Sequence, residues 1–133
     1  MTAPAQKITP FLMFTGAAEE AMTFYTSLFD DGEILEIERC GLGEPGAEGS
    51  VRQARMVVAG QQVICVDSAM SHDFTFTPSV SLFVRCDSTD EQERLWKALS
   101  DGGAPLMPLG DHGFGSFGWT NDRFGVSWQL ALA

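Results

Sequence analysis

The sequence predicts an α+β fold in which two βαβββ modules form one curved, mixed sheet of eight strands, with the helices on its outside. Two observations lead to this prediction. Apolar residues alternate with polar ones through most of the chain, as in strands, and change to a helical period only twice. The two helical segments also lie in halves of the chain that resemble each other at an offset of about 71 residues.

The first module covers residues 8–68. Its helix is predicted from an apolar stripe that includes Ala18, Met22 and Tyr25, and two glutamates in its first turn favour the helix dipole. Strands are predicted where apolar and polar residues alternate, and Gly60 marks a hairpin turn. The predicted elements are a strand over 8–14, a helix over 17–29, and strands over 33–40, 50–59 and 62–67.

The second module covers residues 79–133. Its helix begins at a capping box, in which Ser88 precedes Glu91 by three residues. The chain ends in a hairpin, because an Asn-Asp-Arg-Phe-Gly turn separates two alternating strands. The predicted elements are a strand over 79–86, a helix from 88 to about 100, and strands over 104–109, 117–120 and 126–132.

The helical segments carry the repeat most clearly, because Glu20 falls on Glu91 and Leu28 falls on Leu99 at this offset. One module cannot bury both the apolar stripe of its helix and the apolar face of its strands, whereas two modules side by side can. We therefore expect residues 1–133 to form a single domain. Whether the modules close one cup within a chain or exchange between two chains stays open.

The composition favours a globular protein and argues against nucleic acid as a partner. The chain has 133 residues, which suits one domain with a sizeable core, and 44% of them are hydrophobic. The net charge of −10 repels a phosphate backbone. The same charge would favour a cationic ligand, although solubility alone also explains an acidic surface.

The sequence predicts a cytoplasmic protein that does not enter a membrane. No apolar run approaches the roughly 20 residues that span a bilayer. The segment 1–7 has no apolar h-region, so we expect no signal peptide. Cys40, Cys65 and Cys86 are odd in number and widely spaced, which argues against a disulfide framework or a Cys-x-x-Cys site and fits a reducing compartment.

Two Gly-x-Gly-x-x-Gly strings occur, over residues 41–46 and 113–118. Phosphate binding needs such a string between a strand and the start of a helix. Here each string precedes a predicted strand, so both are interpreted as loops. The sequence therefore gives no direct support for a site that binds a nucleotide or S-adenosylmethionine.

Candidate catalytic groups are few, and the catalytic residues stay unknown. His72 and His112 lie in loops beside Asp73 and Asp111, where a His-Asp pair could act as a general base or hold a metal, or could simply be solvated. The chain has no Gly-x-Ser-x-Gly elbow. Nucleophilic catalysis therefore has no positive signal.

Strand alternation predicts a concave polar surface. Gln53 shares a face with Arg55, Cys65 with Asp67, and Ser127 with Gln129. Together with Ser79 and Ser81, these groups would line a cup whose walls include Phe14, Phe74, Phe76 and Trp119. A concave surface with a few convergent polar groups is typical of a ligand pocket. The alternatives are that the polar groups satisfy one another or bound water, and that the aromatic side chains belong to the core.

The chain resembles the vicinal-oxygen-chelate superfamily of glyoxalase, bleomycin-resistance and extradiol-dioxygenase proteins. More narrowly it resembles the PhnB-like branch, often labelled 3-demethylubiquinone-9 3-methyltransferase. The matching segments are Ile-Thr-Pro-Phe-Leu-Met-Phe at 8–14, Ala-Glu-Glu-Ala-Met-Thr-Phe-Tyr-Thr-Ser-Leu-Phe at 18–29, Phe-Thr-Phe-Thr at 74–77, and residues 119–129. The resemblance implies the glyoxalase-like fold and usually a homodimer.

The resemblance also shows where metal ligands would lie in the enzymes of the superfamily. The corresponding positions here are Thr9 or Pro10, Cys65 or Asp67, Ser79 or Ser81, and Gln129. None of these is His or Glu, and hydroxyl and amide groups are poor ligands for a divalent transition metal. We therefore expect no metal of the family type, and the sequence indicates no cofactor.

These observations lead to three hypotheses. The first is a homodimer that binds a small molecule without a metal. The predicted ligand-binding residues are Phe14, Gln53, Cys65, Asp67, Ser79, Trp119 and Gln129. The second is a metal-dependent lyase, isomerase or dioxygenase of the glyoxalase superfamily, with Asp67 and a loop histidine at the metal. The third is the methyltransferase that the family label names. Whether the protein is an enzyme stays open.

Overall fold

A computed structural model describes residues 6–133 and shows two compact units, with the boundary between Ser71 and His72. Each unit contains one of the two predicted modules. That the units together form a single domain stays a prediction. Residues 1–5 lie outside the described residues, so most of the segment on which the signal-peptide prediction rests is not part of this description.

The first unit is a βαβββ module. Its elements are β1 (Phe11–Phe14), α1 (Ala18–Ser27), β2 (Glu33–Arg39), β3 (Val51–Val58) and β4 (Gln61–Asp67). The strands form one mixed sheet in the order β1-β4-β3-β2. The outer strand β1 runs parallel to β4, and the other neighbours are antiparallel. The parallel pair requires a crossover, which α1 and the strands after it provide.

The second unit repeats this architecture. Its elements are β5 (Ser81–Cys86), α2 (Thr89–Ser100), β6 (Ala104–Asp111), β7 (Ser116–Asn121) and β8 (Ser127–Leu132). The sheet has the order β5-β8-β7-β6, again with the first strand parallel to the last. Within residues 6–133, neither helix has the length and apolar composition that a membrane crossing requires.

The structure confirms the predicted α+β fold, the two βαβββ modules and the internal repeat, but the strands of residues 6–133 form two mixed sheets of four rather than one sheet of eight. The helices begin at Ala18 and Thr89, an offset of 71 residues, but β3 and β7 begin at Val51 and Ser116, an offset of 65. The offset shrinks because the loop before β3 is longer than the loop before β7. The repeat is therefore a repeat of topology, and an insertion in one loop hides it from a search at a fixed spacing.

Strand ends differ from the predicted ones mainly near prolines. β1 begins at Phe11 rather than at position 8, although the carbonyl of Pro10 still accepts a hydrogen bond from the backbone N–H of Ile64. β6 extends to Asp111 despite Pro105 and Pro108, because it lies at the edge of its sheet and shifts register twice. Prolines are tolerated at a sheet edge, where a missing N–H leaves no neighbour unpaired.

Each helix packs on one face of its own sheet. In the first unit, Ala21, Met22 and Tyr25 of α1 are fully buried. On β3 and β4, most buried positions alternate with exposed or half-buried ones, as the period of a strand requires. The fully buried sheet residues of this unit include Ala54 and Met56 on β3 and Val63 and Cys65 on β4.

The core of the second unit contains Leu95 and Leu99 of α2 and Trp128 and Leu130 of β8. The core also contains the buried side-chain amide of Gln92. Its Nε2 donates a hydrogen bond to the carbonyl of Leu130 at 3.2 Å, so this polar group has a partner inside the core. Trp96 lies over Gly118 of β7, where an added Cβ would come within 2.8 Å of the indole ring. A glycine at this position therefore allows the helix to approach the strand closely.

The tight turn between β3 and β4 stores local strain. Ala59 has φ +49° and Gly60 has φ +78°, as in a hairpin turn whose two central residues both have positive φ. A side chain at positive φ is sterically unfavourable. The carboxylate of Asp31 offsets part of the cost, since it accepts hydrogen bonds from the N–H groups of Ala59 and Gly60, both at 2.7 Å.

The three cysteines are free and buried. Burial raises the pKa of the Cys65 thiol to about 12, and the negative charge of Asp67 adds to the shift. Burial likewise raises the pKa of Cys86 to about 11. Both pKa values lie above the ordinary value of 9.0, so as the pH rises the thiols of the unfolded chain lose their protons before those of the folded chain. The contribution of the two thiols to the stability of the folded state is therefore fully present below pH 9.0 and is lost as the pH rises toward 11–12.

We predict that Ala59→Asn stabilises the protein by about 0.5–1 kcal/mol, because asparagine tolerates positive φ without the extra backbone freedom of glycine. A thermal melt followed by circular dichroism should show a rise of a few degrees. Ala59→Val is the matched control and should lower the midpoint, since a β-branched side chain is strongly disfavoured there. A lower midpoint for the asparagine variant would contradict this view of the turn.

We predict that no thiol of the native protein reacts rapidly with Ellman's reagent at pH 8, because the reagent needs an accessible thiolate. All three cysteines should react once guanidinium unfolds the chain. The absorbance at 412 nm measures both quantities. A thiol that reacts within seconds in the native state would show that the core opens far more readily than the packing of Cys65 and Cys86 indicates.

Candidate functional site

Each sheet has a second face, opposite the one on which the helix of its unit packs, and we call this the helix-free face. In the second unit, Trp128 and Leu130 of β8 point toward α2, so Ser127 and Gln129 lie on the helix-free face. This arrangement confirms the predicted alternation of β8. It also fixes which residues of β5 and β7 lie beside Ser127 and Gln129.

Two rows of side chains cross the helix-free face of the second sheet. The first row pairs Asn121 with Ser127 and Ser127 with Ser81. The second row pairs Trp119 with Gln129 and Gln129 with Phe83. Paired residues on one face have Cβ atoms about 4.5–5.5 Å apart. A polar row therefore lies next to a row in which an amide stands between two aromatic rings; we call the six residues the second-sheet cluster.

Hydrogen bonds join four members of the second-sheet cluster. Trp119 donates from Nε1 to Oγ of Ser127 at 2.8 Å, and the hydroxyls of Ser127 and Ser81 share a hydrogen bond of 2.7 Å. Gln129 donates from Nε2 to Oγ of Ser81 at 3.3 Å. The network orients the indole and the amide. It also leaves the carbonyl oxygen Oε1 of Gln129 without a partner among residues 6–133.

Asn121 adds an unsatisfied acceptor to the cluster. Its side-chain carbonyl Oδ1 is buried and has no hydrogen-bond partner in the described part of the chain. A buried polar atom without a partner costs about 1–3 kcal/mol, so its presence requires an explanation. With Gln129 Oε1, it gives the cluster two acceptors that no described residue satisfies.

The position of the cluster depends on Asp122, which directly follows Asn121. The Asp122 side chain is buried and accepts from the N–H groups of Phe124 at 2.8 Å and Val126 at 3.1 Å through Oδ1. Its Oδ2 accepts from Nε1 of Trp128 at 2.9 Å. These bonds close the turn before β8 and hold Trp128 on the helix side. The neighbouring Ser127 and Gln129 are thereby held on the other side.

The first sheet separates two sets of candidate residues that the sequence analysis placed on one surface. Ala54, and not Gln53, is the cross-strand partner of Cys65, and both are fully buried on the side of α1. Gln53 and Arg55 alternate with Ala54 and lie on the helix-free face. The register of β3 against β4 decides this, and a strand pattern alone does not reveal register.

Asp67 holds three segments of the first unit together. Its Oδ1 accepts from the N–H groups of Gly16 at 2.8 Å and Ala18 at 2.9 Å, and its Oδ2 accepts from Val51 at 3.0 Å. Since Ala17 at the start of α1 offers no side-chain cap, Asp67 supplies it from β4. Both carboxylate oxygens therefore already have donors.

Two further candidate residues lie away from the second-sheet cluster. Phe14 is 4% exposed and is the partner of Asp67 in the first unit. Ser79 precedes β5, is exposed, and shares a hydrogen bond of 2.7 Å with Thr77. Of the seven predicted ligand-binding residues, the structure pairs Trp119 with Gln129 in the second unit and Phe14 with Asp67 in the first. A binding role for Phe14, Gln53, Cys65, Asp67 and Ser79 stays a prediction.

The residues at the family's metal positions do not fit a divalent transition metal. Asp67 is bonded to backbone amides through both oxygens, and the raised pKa keeps Cys65 a neutral thiol rather than a thiolate. Ser81 and Gln129 offer a hydroxyl and an amide that bond to each other. Over residues 6–133, no three His, Cys, Asp or Glu side chains gather as a metal site would need.

The loop motifs have local partners. His112 Nε2 lies 2.7 Å from the carbonyl of Pro108, and its ring stacks near Phe114. The ring of His72 stacks on Phe74 at 4.7 Å. The first Gly-x-Gly-x-x-Gly string is a loop before β3, as predicted, whereas the second continues from a loop into β7, so that its last three residues belong to that strand. Neither string leads into the start of a helix, where phosphate binding would need it.

The sequence analysis did not include Asn121, Ser127 or Phe83 among the ligand-binding residues. Asn121 was interpreted as a turn residue, although it ends β7. Only the pairing of β7 with β8 and of β8 with β5 brings these side chains beside Gln129. Strand alternation in the sequence already placed Ser127 on the predicted cup surface, but the burial of Asn121 Oδ1 has no signature in the sequence.

Comparisons with known proteins agree with this architecture. The model of a family described as 3-demethylubiquinone-9 3-methyltransferase matches residues 6–131. The PhnB protein from Bacillus cereus is 53% identical, with a TM-score of 0.95 over 96% of this chain and 100% of that chain. Protein PA1353 from Pseudomonas aeruginosa is 32% identical, with a TM-score of 0.82 over 96% and 98% of the two chains.

A more distant structure supports the fold alone. A glyoxylase/bleomycin resistance protein/dioxygenase domain from Frankia sp. EAN1pec is 15% identical, with a TM-score of 0.66 over 98% of this chain and 93% of that chain. No curated protein matches the chain. The chain therefore belongs to the family described as 3-demethylubiquinone-9 3-methyltransferase, in its PhnB-like branch, and has the glyoxalase-like fold of the vicinal-oxygen-chelate superfamily.

Proposed function

We propose that the protein binds a small molecule on the helix-free face of its second sheet, through the second-sheet cluster and without a metal. The observation that carries this proposal is the buried, unpartnered Oδ1 of Asn121. A ligand N–H or O–H that reaches this atom makes a hydrogen bond that no described residue makes. Burying an unpaired acceptor beside a polar network is a cost to folding that ligand binding explains.

The chemistry of the cluster defines the kind of ligand. Trp119 and Phe83 flank Gln129, and Phe83 is 62% exposed, so a flat apolar body has two rings to contact. The free acceptors are carbonyl oxygens of Asn121 and Gln129, which require donors. The ligand is therefore an apolar or aromatic molecule with an amine, amide N–H or hydroxyl group. A cationic amine fits this description.

A metal-dependent lyase, isomerase or dioxygenase is the alternative that the fold raises, and the donor chemistry described above does not favour it. The methyltransferase of the family description would need S-adenosylmethionine. The Gly-rich strings that could have bound such a cofactor lead into strands. No observation of the described residues favours either activity over binding.

We also infer that the protein acts as a homodimer in a reducing cytoplasm. The edge strands β1 and β5 carry the exposed aromatic side chains Phe11, 58% exposed, and Phe83. Exposed apolar groups beside unpaired strand edges favour association with a second copy. The three unpaired, buried thiols are compatible with a reducing compartment.

A thermal-shift screen of metabolites and antibiotics supplies a ligand for the test. We predict that Asn121→Leu weakens the affinity for this ligand by about tenfold or more, a loss of about 1.4 kcal/mol of binding free energy. The same substitution should leave the free energy of unfolding unchanged or raise it by about 1 kcal/mol, because it removes an unsatisfied buried acceptor. Calorimetry measures the first quantity and chemical denaturation the second. Gln129→Leu should abolish binding.

Gln61→Leu is the matched control, because it makes the same change as Gln129→Leu at an exposed position of the first unit. It should leave the affinity unchanged. Unchanged affinity in both Asn121→Leu and Gln129→Leu would contradict the proposed site. Stoichiometric zinc, nickel, manganese or iron that a chelator removes from the purified protein would favour the metal-dependent alternative. Tight binding of S-adenosylmethionine would favour the methyltransferase.

We predict that the purified protein elutes as a dimer, with twice the mass of the 14.4 kDa chain, in size-exclusion chromatography with light scattering. Replacing exposed apolar groups on the two edge strands, Phe11→Ser with Phe83→Ser, should shift the equilibrium toward the monomer, because it removes apolar area from the contact. Phe114→Ser, an equally exposed loop residue, is the control. A wild-type monomer at micromolar concentration would contradict the homodimer.

A further inference from the structure

We infer that Arg55 is the recognition residue of a second binding site, on the helix-free face of the first sheet, for a ligand that carries a carboxylate. This site lies on a different sheet from the proposed small-molecule site and has the opposite chemistry. It presents donors where the second-sheet cluster presents acceptors. The inference therefore does not depend on the proposed function.

The first observation is a buried donor without an acceptor. Across residues 6–133, the buried side-chain atoms that lack a hydrogen-bond partner are Nε of Arg55 and Oδ1 of Asn121. An arginine keeps its charge and its five N–H donors at all physiological pH values. A buried donor of a charged group that has no hydrogen-bond partner destabilises the fold more than an unpaired donor of a neutral group does.

The second observation is that the other arginines of the first unit, Arg39 and Arg52, are hydrogen-bonded to carboxylates and Arg55 is not. Arg39 binds Glu19 through both terminal nitrogens, each at 2.7 Å. Arg52 binds Glu44 at 2.9 Å and Glu38 at 3.1 Å. The shortest ion pair of Arg55 is the 3.9 Å contact between its Nη1 and Oε1 of Glu36, which is too long for a hydrogen bond.

The geometry of the guanidinium then specifies the ligand. Nη1 faces Glu36, so the edge formed by Nε and Nη2 is the one that lacks acceptors among the described residues. This edge carries two parallel N–H bonds, which match the two oxygens of one carboxylate. The Arg55 side chain as a whole is 40% exposed, whereas its Nε atom is buried, so a carboxylate reaches the two-donor edge once the guanidinium rotates slightly toward solvent.

The neighbours of Arg55 on its face describe the rest of the ligand. The sheet register forms a row from Glu36 through Arg55 and Ile64 to Phe11. Acidic side chains lie on one side of Arg55, and apolar ones lie on the other. A carboxylate bound at Arg55 is repelled from Glu36 and directs the body of its molecule toward Ile64 and the exposed ring of Phe11. The structure thus favours an aromatic or aliphatic carboxylate over a free inorganic anion.

The probe that tests the site is benzoate, followed by NMR on ¹⁵N-labelled protein. The Nε–H resonance of Arg55, identified by its loss in Arg55→Lys, should shift in a saturable manner as benzoate is added. Benzyl alcohol and benzylamine have the same ring without the carboxylate and should leave this resonance unmoved. The absence of a saturable shift with benzoate, or an equal shift with benzylamine, would overturn the inference.

Matched variants make the test specific. Arg55→Lys keeps the charge but removes the two-donor edge and should weaken benzoate by about tenfold or more. Arg52→Lys changes a neighbouring arginine that is already paired and should leave the affinity unchanged. Asn121→Leu should also leave it unchanged, which separates this site from the second-sheet cluster. Equal affinity of Arg55→Lys and wild type, or equal weakening by Asn121→Leu, would refute the site as stated.

Discussion

Each four-stranded sheet of this protein has one helix to cover it, and that constraint determines on which face each candidate residue of the strands lies. The helix buries the face that carries Ala54, Met56 and Cys65 in the first unit and Trp128 and Leu130 in the second. Because side chains alternate along a strand, the residues between these cannot join the same core. Trp119 and Asn121 of β7 and Ser127 and Gln129 of β8 therefore gather on the opposite face.

Acidic side chains fix the turns that maintain this division. Asp31, Asp67 and Asp122 each accept two or three hydrogen bonds, most of them from backbone N–H groups at the ends of strands or at the start of α1. Part of the net charge of −10 thus has a structural role, and an acidic composition need not indicate a cationic ligand.

The two unsatisfied atoms give the modules different chemical characters. Asn121 offers an acceptor on β7, and Arg55 offers a charged donor on β3, the strand with the same place in its own module. A repeat of topology therefore does not imply a repeat of function. Both modules need an apolar face that packs against their helix. The side chains on the helix-free face contribute little to that packing, so they can differ between the two modules.

The sequence by itself determined the element order, the repeat, the capping of α2 by Ser88 and the alternation of β8, because these depend on local periodicity and turn chemistry. Only the tertiary structure decided which strands are neighbours. The register of β3 against β4 separated Gln53 from Cys65, and the pairing of β7 with β8 and β5 placed Asn121 and Phe83 beside Ser127 and Gln129. A one-residue change of register reverses the face of every side chain in a strand, and the interactions that set it join residues far apart in the chain.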